Sequence, residues 1–267
     1  MAAQDNELLA TVERSPYAAA AHDRARWVEL FTADGRIEDP VGSRPHVGQQ
    51  QIGRFYDTFI GPRDIAFHRD LDIVSGHAVV RDLELGVAIG SVKMRIPAFL
   101  RYDLRKVESQ WKIAELRAYW DLPAMVRQFL RNGAPAAPAA LELSYGLLRH
   151  QRLLGTAGFA AGFRRPGSSS RRLLAGFLAA VARGDKNFAA QTLTPGAALS
   201  IGDDGQADIA DFGERLWGAG TTKMIAAGST ITASLSAARE RGVLFADLAR
   251  PRTSTGRRID RIRYFPT

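Results

Sequence analysis

The sequence predicts an α+β protein made of two tandem copies of one unit, each an antiparallel sheet with helices packed on one side. Runs of β-branched and aromatic residues follow one another with short connections, which indicates antiparallel pairing. Amphipathic helical segments precede those runs in each half of the chain. The same order of segments recurs in both halves, and 267 residues are enough for two domains with separate cores.

The first unit begins with two helical segments and a strand between them. Apolar residues recur three and four positions apart in DRARWVELF, which is typical of one face of an amphipathic helix. A turn at Asp34-Gly35 precedes RIED, which starts the strand. The strongest helical signal comes next and ends at Gly61-Pro62. Its apolar positions are Ile52, Phe55, Tyr56, Phe59 and Ile60.

Four strand-like runs complete the first unit: DIAFHRDLDIV, HAVVRDLELGVAI, SVKMRIPAFLRYDLRKV and QWKIAELRAYW. The composition then becomes rich in alanine and proline. We interpret residues 129–169 as a hinge and helical linker, with the first domain at 1–128 and the second at 170–267. The linker helix is apolar with arginines beside it, so it either packs between the domains or rests on a membrane surface or a partner.

The second unit repeats the order of the first. RRLLAGFLAAVARGD is helical, AALSI is strand-like, and DIADFGERLW is helical again. The runs TKMIAAGSTITASLSA, GVLFADLA and RRIDRIRYF complete it as strands. The final hairpins of the two units also correspond, since Asp103 precedes Trp120 by 17 residues and Asp247 precedes Phe265 by 18. These similarities predict a tandem repeat.

Composition narrows the class of protein. The chain is 46% hydrophobic and 24% charged, which is typical of a soluble globular protein. It has no cysteine, which excludes disulfides, thiolate ligands and a cysteine nucleophile, and this fits a cytoplasmic location best. The N-terminal segment is acidic and lacks the apolar core of a secretory signal. No apolar stretch approaches the ~20 residues of a transmembrane helix.

The net charge of +8 does not by itself predict a nucleic-acid partner. Arginines are spread along the whole chain, and no aromatic residues alternate with them as a base-stacking surface would require. The five histidines never fall at metal-ligand spacing with a carboxylate on a helix face. We therefore predict no nucleic acid, no metal and no cofactor.

The segment GRIEDPVGS places a carboxylate, Asp39, directly after a predicted strand and before Pro40. Proline biases the preceding residue toward an extended conformation, which restricts where the carboxylate can point. A general base at a pocket needs such a restricted carboxylate. An Asp before Pro is also common in surface turns, so residue type alone leaves both interpretations open.

The stretch LFTADGRIEDPVGSRPHVGQQQIGRFY, followed downstream by RAYW, closely resembles the ketosteroid isomerases. These enzymes belong to the superfamily folded like nuclear transport factor 2, also called cystatin-like, which includes SnoaL-like proteins. The resemblance covers about residues 20–125, and the second unit resembles the superfamily only in the order of its elements. It implies two tandem NTF2-like domains, each a conical, curved antiparallel sheet with packed helices, and a mostly apolar pocket in the first.

The resemblance also implies roles for particular residues. Asp39 falls at the base that moves a proton between two carbons of a β,γ-unsaturated ketosteroid through a dienolate. Asp103 falls at a second, protonated acid that donates a hydrogen bond to the dienolate oxygen. A tyrosine on the first helix supplies the other donor in that family, and its position falls at Ser15 here. Tyr17 lies two residues later, about 200° around a helix.

The strand around Asp103 leaves two alternatives open. Side chains alternate between the faces of a strand, and this alternation puts Asp103 with Arg101 and Arg105 while Tyr102 joins the apolar face. A slip of one residue exchanges the faces. An Asp among arginines would be ionised rather than neutral. Either Asp103 or Tyr102 therefore polarises the ligand's carbonyl group.

The predicted function follows from these residues. We expect an isomerase-like enzyme acting on a steroid or similar apolar carbonyl compound; one alternative is a non-catalytic binding or assembly protein, and a second is an epoxide hydrolase. The hydrolase ranks last because Ala118 stands where that subfamily carries an Asp. In the second unit Ser200 falls at the position of Asp39, so we expect this unit to have lost the base. Its expected role is structural: either it pairs with the first unit of the same chain, or the chain forms a homodimer. The predicted ligand contacts are Phe55, Tyr56, Phe59, Tyr102, Leu116 and Trp120.

Overall fold

The computed structural model describes residues 2–89, 92–131, 133, 168–238, 240–249 and 257–267. By its internal contacts the chain divides into two compact units, Met1–Arg164 and Arg165–Thr267. Almost all of the predicted hinge and linker helix lies outside the described residues. Within the described segments, no helix combines the length and the apolar character needed to cross a bilayer.

The first unit contains a sheet and the helices that pack on it. Its helices are α1 (Ala2–Ala20), α2 (Arg24–Glu29), α3 (Gln49–Phe55), which continues as a π-helix (Tyr56–Ile60), and α4 (Leu122–Leu130). Its strands are β1 (Phe31–Glu38), β2 (His46–Val47), β3 (Asp64–Ser75), β4 (Ala78–Ile89), β5 (Val92–Val107) and β6 (Gln110–Trp120).

The first sheet has the order β2-β1-β6-β5-β4-β3, and it is mixed. Strands β3 to β6 pair antiparallel, as predicted, but β1 pairs parallel with β6. This corrects the prediction of a wholly antiparallel sheet. A short hairpin forces antiparallel pairing, whereas β1 and β6 are separated by the other strands of the unit and no hairpin sets their direction. The predicted turn at Asp34-Gly35 lies inside β1, where the register with β6 is interrupted.

Residue pattern did not predict helix α1, although the resemblance placed the family's first helix at Ser15; Pro16 lies within α1, and proline disfavours a helix interior. Burial outweighs that cost here. Leu8 and Val12 are fully buried in the core of the first unit, and Ser15 is only 3% exposed. The N-terminal segment is therefore part of the fold and contributes a side chain to its interior.

Arg81 joins three elements of the first unit. Alternation along β4 puts it on the inner face with Val79 and Leu83, where it is 1% exposed. Its Nε donates to Asp72 of β3 at 2.8 Å, and its Nη2 donates to Glu13 of α1 at 2.8 Å. A charge so deeply buried is tolerated because both carboxylates accept hydrogen bonds from it.

We expect Arg81→Met to lower the free energy of unfolding by about 3 kcal/mol, because Asp72 and Glu13 then keep only Arg69, whose side chain is 49% exposed, as a counter-charge. Urea unfolding followed by circular dichroism measures this change. Arg95→Met is the matched control, because Arg95 pairs with Glu84 while its side chain is 76% exposed, and it should cost at most about 1 kcal/mol. Equal effects of the two substitutions would contradict an anchoring role for Arg81.

The second unit repeats this architecture. Its helices are α5 (Ser168–Ala182), α6 (Lys186–Thr192) and α7 (Ile209–Arg215). Its strands are β7 (Leu193–Ile201), β8 (Gly205–Gln206), β9 (Gly220–Ala227), β10 (Thr230–Ser236), β11 (Arg241–Leu248) and β12 (Ile259–Pro266). The order β8-β7-β12-β11-β10-β9 matches the first sheet strand for strand, and β7 again runs parallel to β12.

An ion pair repeats along with the strands. In the first unit Asp103 of β5 binds Arg117 of β6, with 2.5 Å between oxygen and nitrogen. In the second unit Asp247 of β11 binds Arg263 of β12 at 2.9 Å. The equivalent positions of the two pairs agree with the similarity of the hairpins in the sequence. Two units of one topology thus form this chain, as predicted.

Candidate active site

The inner face of the first sheet and the helices against it enclose an apolar cavity. Its walls are aromatic and aliphatic side chains from the helices, the π-helix and strands β3 to β6. Among the described lining residues, polar groups come from Ser15, Asp39, Arg63, Tyr102 and the indole N–H of Trp120. Few polar groups in an apolar cavity are typical of a small-molecule site.

Asp39 follows the last residue of β1 and faces the cavity. The turn after it is held by two hydrogen bonds: the N–H of Val41 donates to the carbonyl of Ala118 at 2.8 Å, and the N–H of Gly42 donates to the Glu38 carboxylate at 2.8 Å. The carboxylate of Asp39 accepts a hydrogen bond from Trp120 Nε1 at 2.5 Å. Asp39 is therefore held in the cavity wall rather than on a surface turn.

The surroundings of Asp39 make it a weaker acid. Burial in the apolar cavity raises its pKa to about 6, and the hydrogen bond from Trp120 opposes that rise. A carboxyl group with such a pKa is mostly ionised at pH 7 and yet accepts a proton readily. These are the properties of a general base.

Tyr102 lies in the same cavity and is 1% exposed. Burial raises the pKa of its phenol to about 12, so the phenol stays protonated at neutral pH. Ser15 forms a hydrogen bond with the phenol, and Ser15 itself accepts one from Trp27 Nε1 at 3.1 Å. A Ser15 hydroxyl that donates to the phenol oxygen leaves the Tyr102 hydrogen available to the cavity, and the Ser15 contact lowers the pKa of Tyr102, as such a donor does.

Asp103 lies on the opposite face of β5, which corrects the expectation that it points into the pocket. Its carboxylate pairs with Arg101 at 2.6 Å and with Arg117 at 2.5 Å. Burial alone would raise the pKa of Asp103, but the two guanidinium groups outweigh it and hold the pKa below its usual range. The register explains the placement, because Tyr102 stands opposite Leu116, which also lines the cavity.

Four other predicted ligand contacts line the cavity: Phe55, Phe59, Leu116 and Trp120. Tyr56 does not. It is 3% exposed, and its ring packs against Trp27 with 5.4 Å between ring centroids. Phe59 follows Phe55 by four residues, with 5.1 Å between the ring centroids, so these two rings share the face that lines the cavity and Tyr56 does not.

Two parts of the cavity were not predicted. Arg63 follows the π-helix, and nothing in its local sequence distinguishes it from the many other arginines. Helix α4 covers the cavity with Met125, Val126 and Phe129. A signal for α4 was present, because Asp121 caps the helix by accepting from the N–H of Ala124 at 2.9 Å.

The second unit has no carboxylate at the position that corresponds to Asp39. In the sheet register Ser200 pairs with Arg263 as Glu38 pairs with Arg117, so Ser200 corresponds to Glu38. The residue that corresponds to Asp39 is therefore Ile201, one position after the predicted Ser200. Ile201 packs against the core of the second unit. In the described parts of both units, no group of three histidines or carboxylates is placed to hold a metal ion.

The first unit matches a known family of domains. Residues 7–127 match the family model described as the nuclear transport factor 2 (NTF2) domain. A search of curated proteins found no match. Similar solved structures include RV0760c from Mycobacterium tuberculosis, which is 25% identical, with 44% of this chain and 92% of that one covered and a TM-score of 0.41.

Two further solved structures are similar at lower identity. The Δ5-3-ketosteroid isomerase from a Mycobacterium species is 23% identical, with 45% of this chain and 96% of that one covered and a TM-score of 0.41. A LEH-like epoxide hydrolase from M. tuberculosis is 18% identical, with 51% and 98% covered and a TM-score of 0.43. The first unit of this chain thus matches the nuclear transport factor 2 domain over residues 7–127, and the second unit repeats the strand order of the first.

Proposed function

We propose that the first unit is a ketosteroid isomerase-like enzyme that moves a C=C bond in a steroid or a similar apolar carbonyl compound. The observation that carries this proposal is that Asp39, with its pKa raised to about 6, shares one apolar cavity with the protonated phenol of Tyr102. A base near its working pH and a hydrogen-bond donor away from water are the two groups that enolisation requires.

The proposed reaction is an isomerisation, so the product contains every atom of the substrate. Asp39 removes a proton from the carbon between the carbonyl and the C=C bond, and the electron pair moves toward the carbonyl oxygen to form a dienolate. Tyr102 donates a hydrogen bond to that oxygen as its negative charge develops. Asp39 then delivers the proton to the γ carbon, which leaves the double bond conjugated. Trp120 Nε1 holds the carboxylate in position between the two carbons.

Tyr102 takes the donor role that the resemblance assigned to Asp103. A phenol meets the requirement directly, because it is neutral at pH 7 and needs no large pKa shift to remain so. Ser15, at the position of the family's first-helix tyrosine, acts through Tyr102 by orienting its hydroxyl. The arrangement therefore keeps a donor in the cavity although that tyrosine is absent.

Binding without turnover is the second candidate function. It is favoured by Ser15, which stands where the family's first-helix tyrosine would be and bonds to Tyr102, so Tyr102 is left as the hydroxyl donor to the carbonyl. Epoxide hydrolysis ranks lower, because activating a water there needs a second carboxylate. Asp39 is the one carboxylate among the described residues that line the cavity.

An ultraviolet assay for conjugated enone, with a β,γ-unsaturated ketosteroid as substrate, tests the proposal. We expect kcat/KM to rise tenfold per pH unit below a pKa of about 6 and to level off above it, because Asp39 must be ionised to accept a proton. Tyr102, with its pKa of about 12, should add no alkaline limb below pH 10. Steroid binding without any turnover would support the carrier function, and a profile that is flat from pH 5 to 8 would exclude Asp39 as the base.

A further inference from the structure

Arg81 and Tyr102 are buried neighbours on the inner face of the first sheet. In the register of β4 with β5, Val79 pairs with Tyr102 and Arg81 pairs with Leu100, so Arg81 stands diagonally across from Tyr102. Residues at such diagonal positions lie about 7–8 Å apart, within reach of aromatic and long side chains. Each of the two is 1% exposed. A permanent cation therefore lies beside the phenol that serves as donor in the proposed reaction.

Helix α1 brings the guanidinium and the phenol to one place. Arg81 Nη2 donates to Glu13 of α1 at 2.8 Å, and Ser15, two residues later and within the same helical turn, forms a hydrogen bond with the phenol of Tyr102. Tyr102 lines the cavity, and Arg81 is not among its described lining residues. Arg81 therefore does not touch a ligand, and its charge reaches the ligand by way of Tyr102.

The ion pairs around Arg81 form a cluster in which positive and negative charges balance. Arg81 binds Asp72 and Glu13, and Arg69 donates to the same two carboxylates at 3.3 and 3.0 Å. The position of each charge then decides its effect on the phenol. Burial raises the pKa of Tyr102 to about 12; the charge of Arg81 opposes that rise, and Asp72 supports it less strongly than Arg81 opposes it. The cluster thus presents its positive end to the phenol.

The two ends of the proposed proton transfer differ in their surroundings. Burial raises the pKa of Asp39, and the hydrogen bond from Trp120 lowers it. During enolisation, negative charge leaves Asp39 and develops on the oxygen that is bonded to Tyr102. A cation beside Tyr102 favours the charge in its new position, so it stabilises the transition state more than the ground state.

We propose that Arg81 is a positioning residue of this site, whose buried charge strengthens the hydrogen bond that Tyr102 donates to the ligand's oxygen. This inference rests on the proposed function and adds to it a residue that does not contact the ligand. A phenol beside a cation is a stronger hydrogen-bond donor, because the charge favours partial loss of its proton. The guanidinium that joins α1, β3 and β4 thus also serves the chemistry of the cavity.

The infrared carbonyl band of a bound ketone measures this hydrogen bond without turnover. The probe is androst-4-en-3-one labelled with carbon-13 at its carbonyl carbon, which has a single carbonyl and the conjugated enone that the proposed reaction forms. The difference between labelled and unlabelled spectra separates its band from the amide bands of the protein. The band moves to lower frequency as the hydrogen bond strengthens, and Tyr102→Phe gives its frequency without the donor.

We expect Arg81→Met to move the carbonyl band from its wild-type frequency toward that of Tyr102→Phe. The donor is still present, but it lacks the adjacent cation. In the enone assay kcat should fall about 10-fold with a smaller change in KM, because the lost interaction grows as charge develops on the oxygen.

Two further variants separate this role from a structural one. Asp72→Asn removes the carboxylate that opposes Arg81, so it should move the band below its wild-type frequency. Arg69→Met removes the other cation that binds Asp72 and Glu13, but its side chain is 49% exposed and water screens its charge, so it should leave the band and kcat unchanged. Disturbance of the cluster alone would move the band in one direction in all three variants.

Circular dichroism establishes that each variant is folded. Equal shifts in Arg81→Met and Arg69→Met, or a failure of Asp72→Asn to lower the frequency, would overturn the role of Arg81 and leave Tyr102 as the donor. If Arg81→Met does not fold, the direction of the shift in Asp72→Asn decides alone. A band that Tyr102→Phe leaves in place would refute Tyr102 as the donor, and a ketone that does not bind would refute the proposed function; this inference fails with either.

Discussion

Asp39→Asn is expected to lower kcat/KM for isomerisation of a β,γ-unsaturated ketosteroid by about 10²- to 10⁴-fold, the range in which a positioned general base contributes. The amide cannot accept the proton at neutral pH, while its size and its hydrogen bond with Trp120 Nε1 can be kept. Ligand affinity, measured by tryptophan quenching, should change little. The enone assay on wild type and variant measures the loss directly.

Stability supplies the control for this variant. The pKa of Asp39 rises from 3.8 to about 6 on folding, so between these values the folded state binds more protons than the unfolded state. Wild-type stability therefore falls as pH rises through this window and stays lower above it, by on the order of 3 kcal/mol. Asparagine carries no such penalty. We expect Asp39→Asn to be the more stable protein at pH 8, by urea unfolding.

A loss of rate together with a gain in stability would separate the chemistry of Asp39 from damage to the fold. Full activity in the variant would rule out Asp39 as the base. A variant less stable than wild type at pH 8 would contradict the raised pKa, because burial of the ionised carboxylate is the cause of the expected difference.

Tyr102→Phe is expected to lower kcat by about 10²- to 10³-fold, the cost of removing one oxyanion donor, with a smaller effect on KM. The ring stays in place, so the shape of the cavity is preserved. Only the hydrogen bond that strengthens as charge develops on the oxygen is lost. The same ultraviolet assay, run at saturating and limiting substrate, separates kcat from KM.

Two matched variants sharpen this prediction. Tyr119→Phe removes a phenol that is 2% exposed and lies on the opposite face of β6 from Trp120, and it should leave kcat unchanged. Asp103→Asn removes an acid whose carboxylate pairs with Arg101 and Arg117 outside the cavity, and it should affect stability more than rate. If Asp103→Asn alone abolished turnover, Asp103 rather than Tyr102 would be the donor.

Local pattern was enough to predict most elements. The helical spacing of Ile52, Phe55 and Phe59 and the β-rich runs after Pro62 correspond to α3 with its π-helix and to β3 through β6. Residue pattern alone did not predict helix α1, which the resemblance placed at Ser15, because Leu8 and Val12 are buried against residues distant in the sequence. The parallel pairing of β1 with β6 was not predicted either, because no local turn connects the two strands and sets their relative direction.

The candidate site divides in the same way. Asp39, Phe55 and Trp120 were predicted to contact the ligand, and all three line the cavity. Their signals are local: a carboxylate at a strand end and aromatic residues on one face of a helix or strand. Arg63 and helix α4 reach the cavity through the path of the chain around it. No short window of sequence reports that path.

By itself, the sequence determined that this chain holds two α+β units, that the first carries a constrained carboxylate at Asp39, and that cysteine chemistry is absent. Only the tertiary structure decided that Tyr102 and not Asp103 faces the cavity, and that Arg63 lines it as well. The physical reason is register. Alternation along a strand defines two faces, but pairing with the neighbouring strands and packing against the helices decide which of the two is inside.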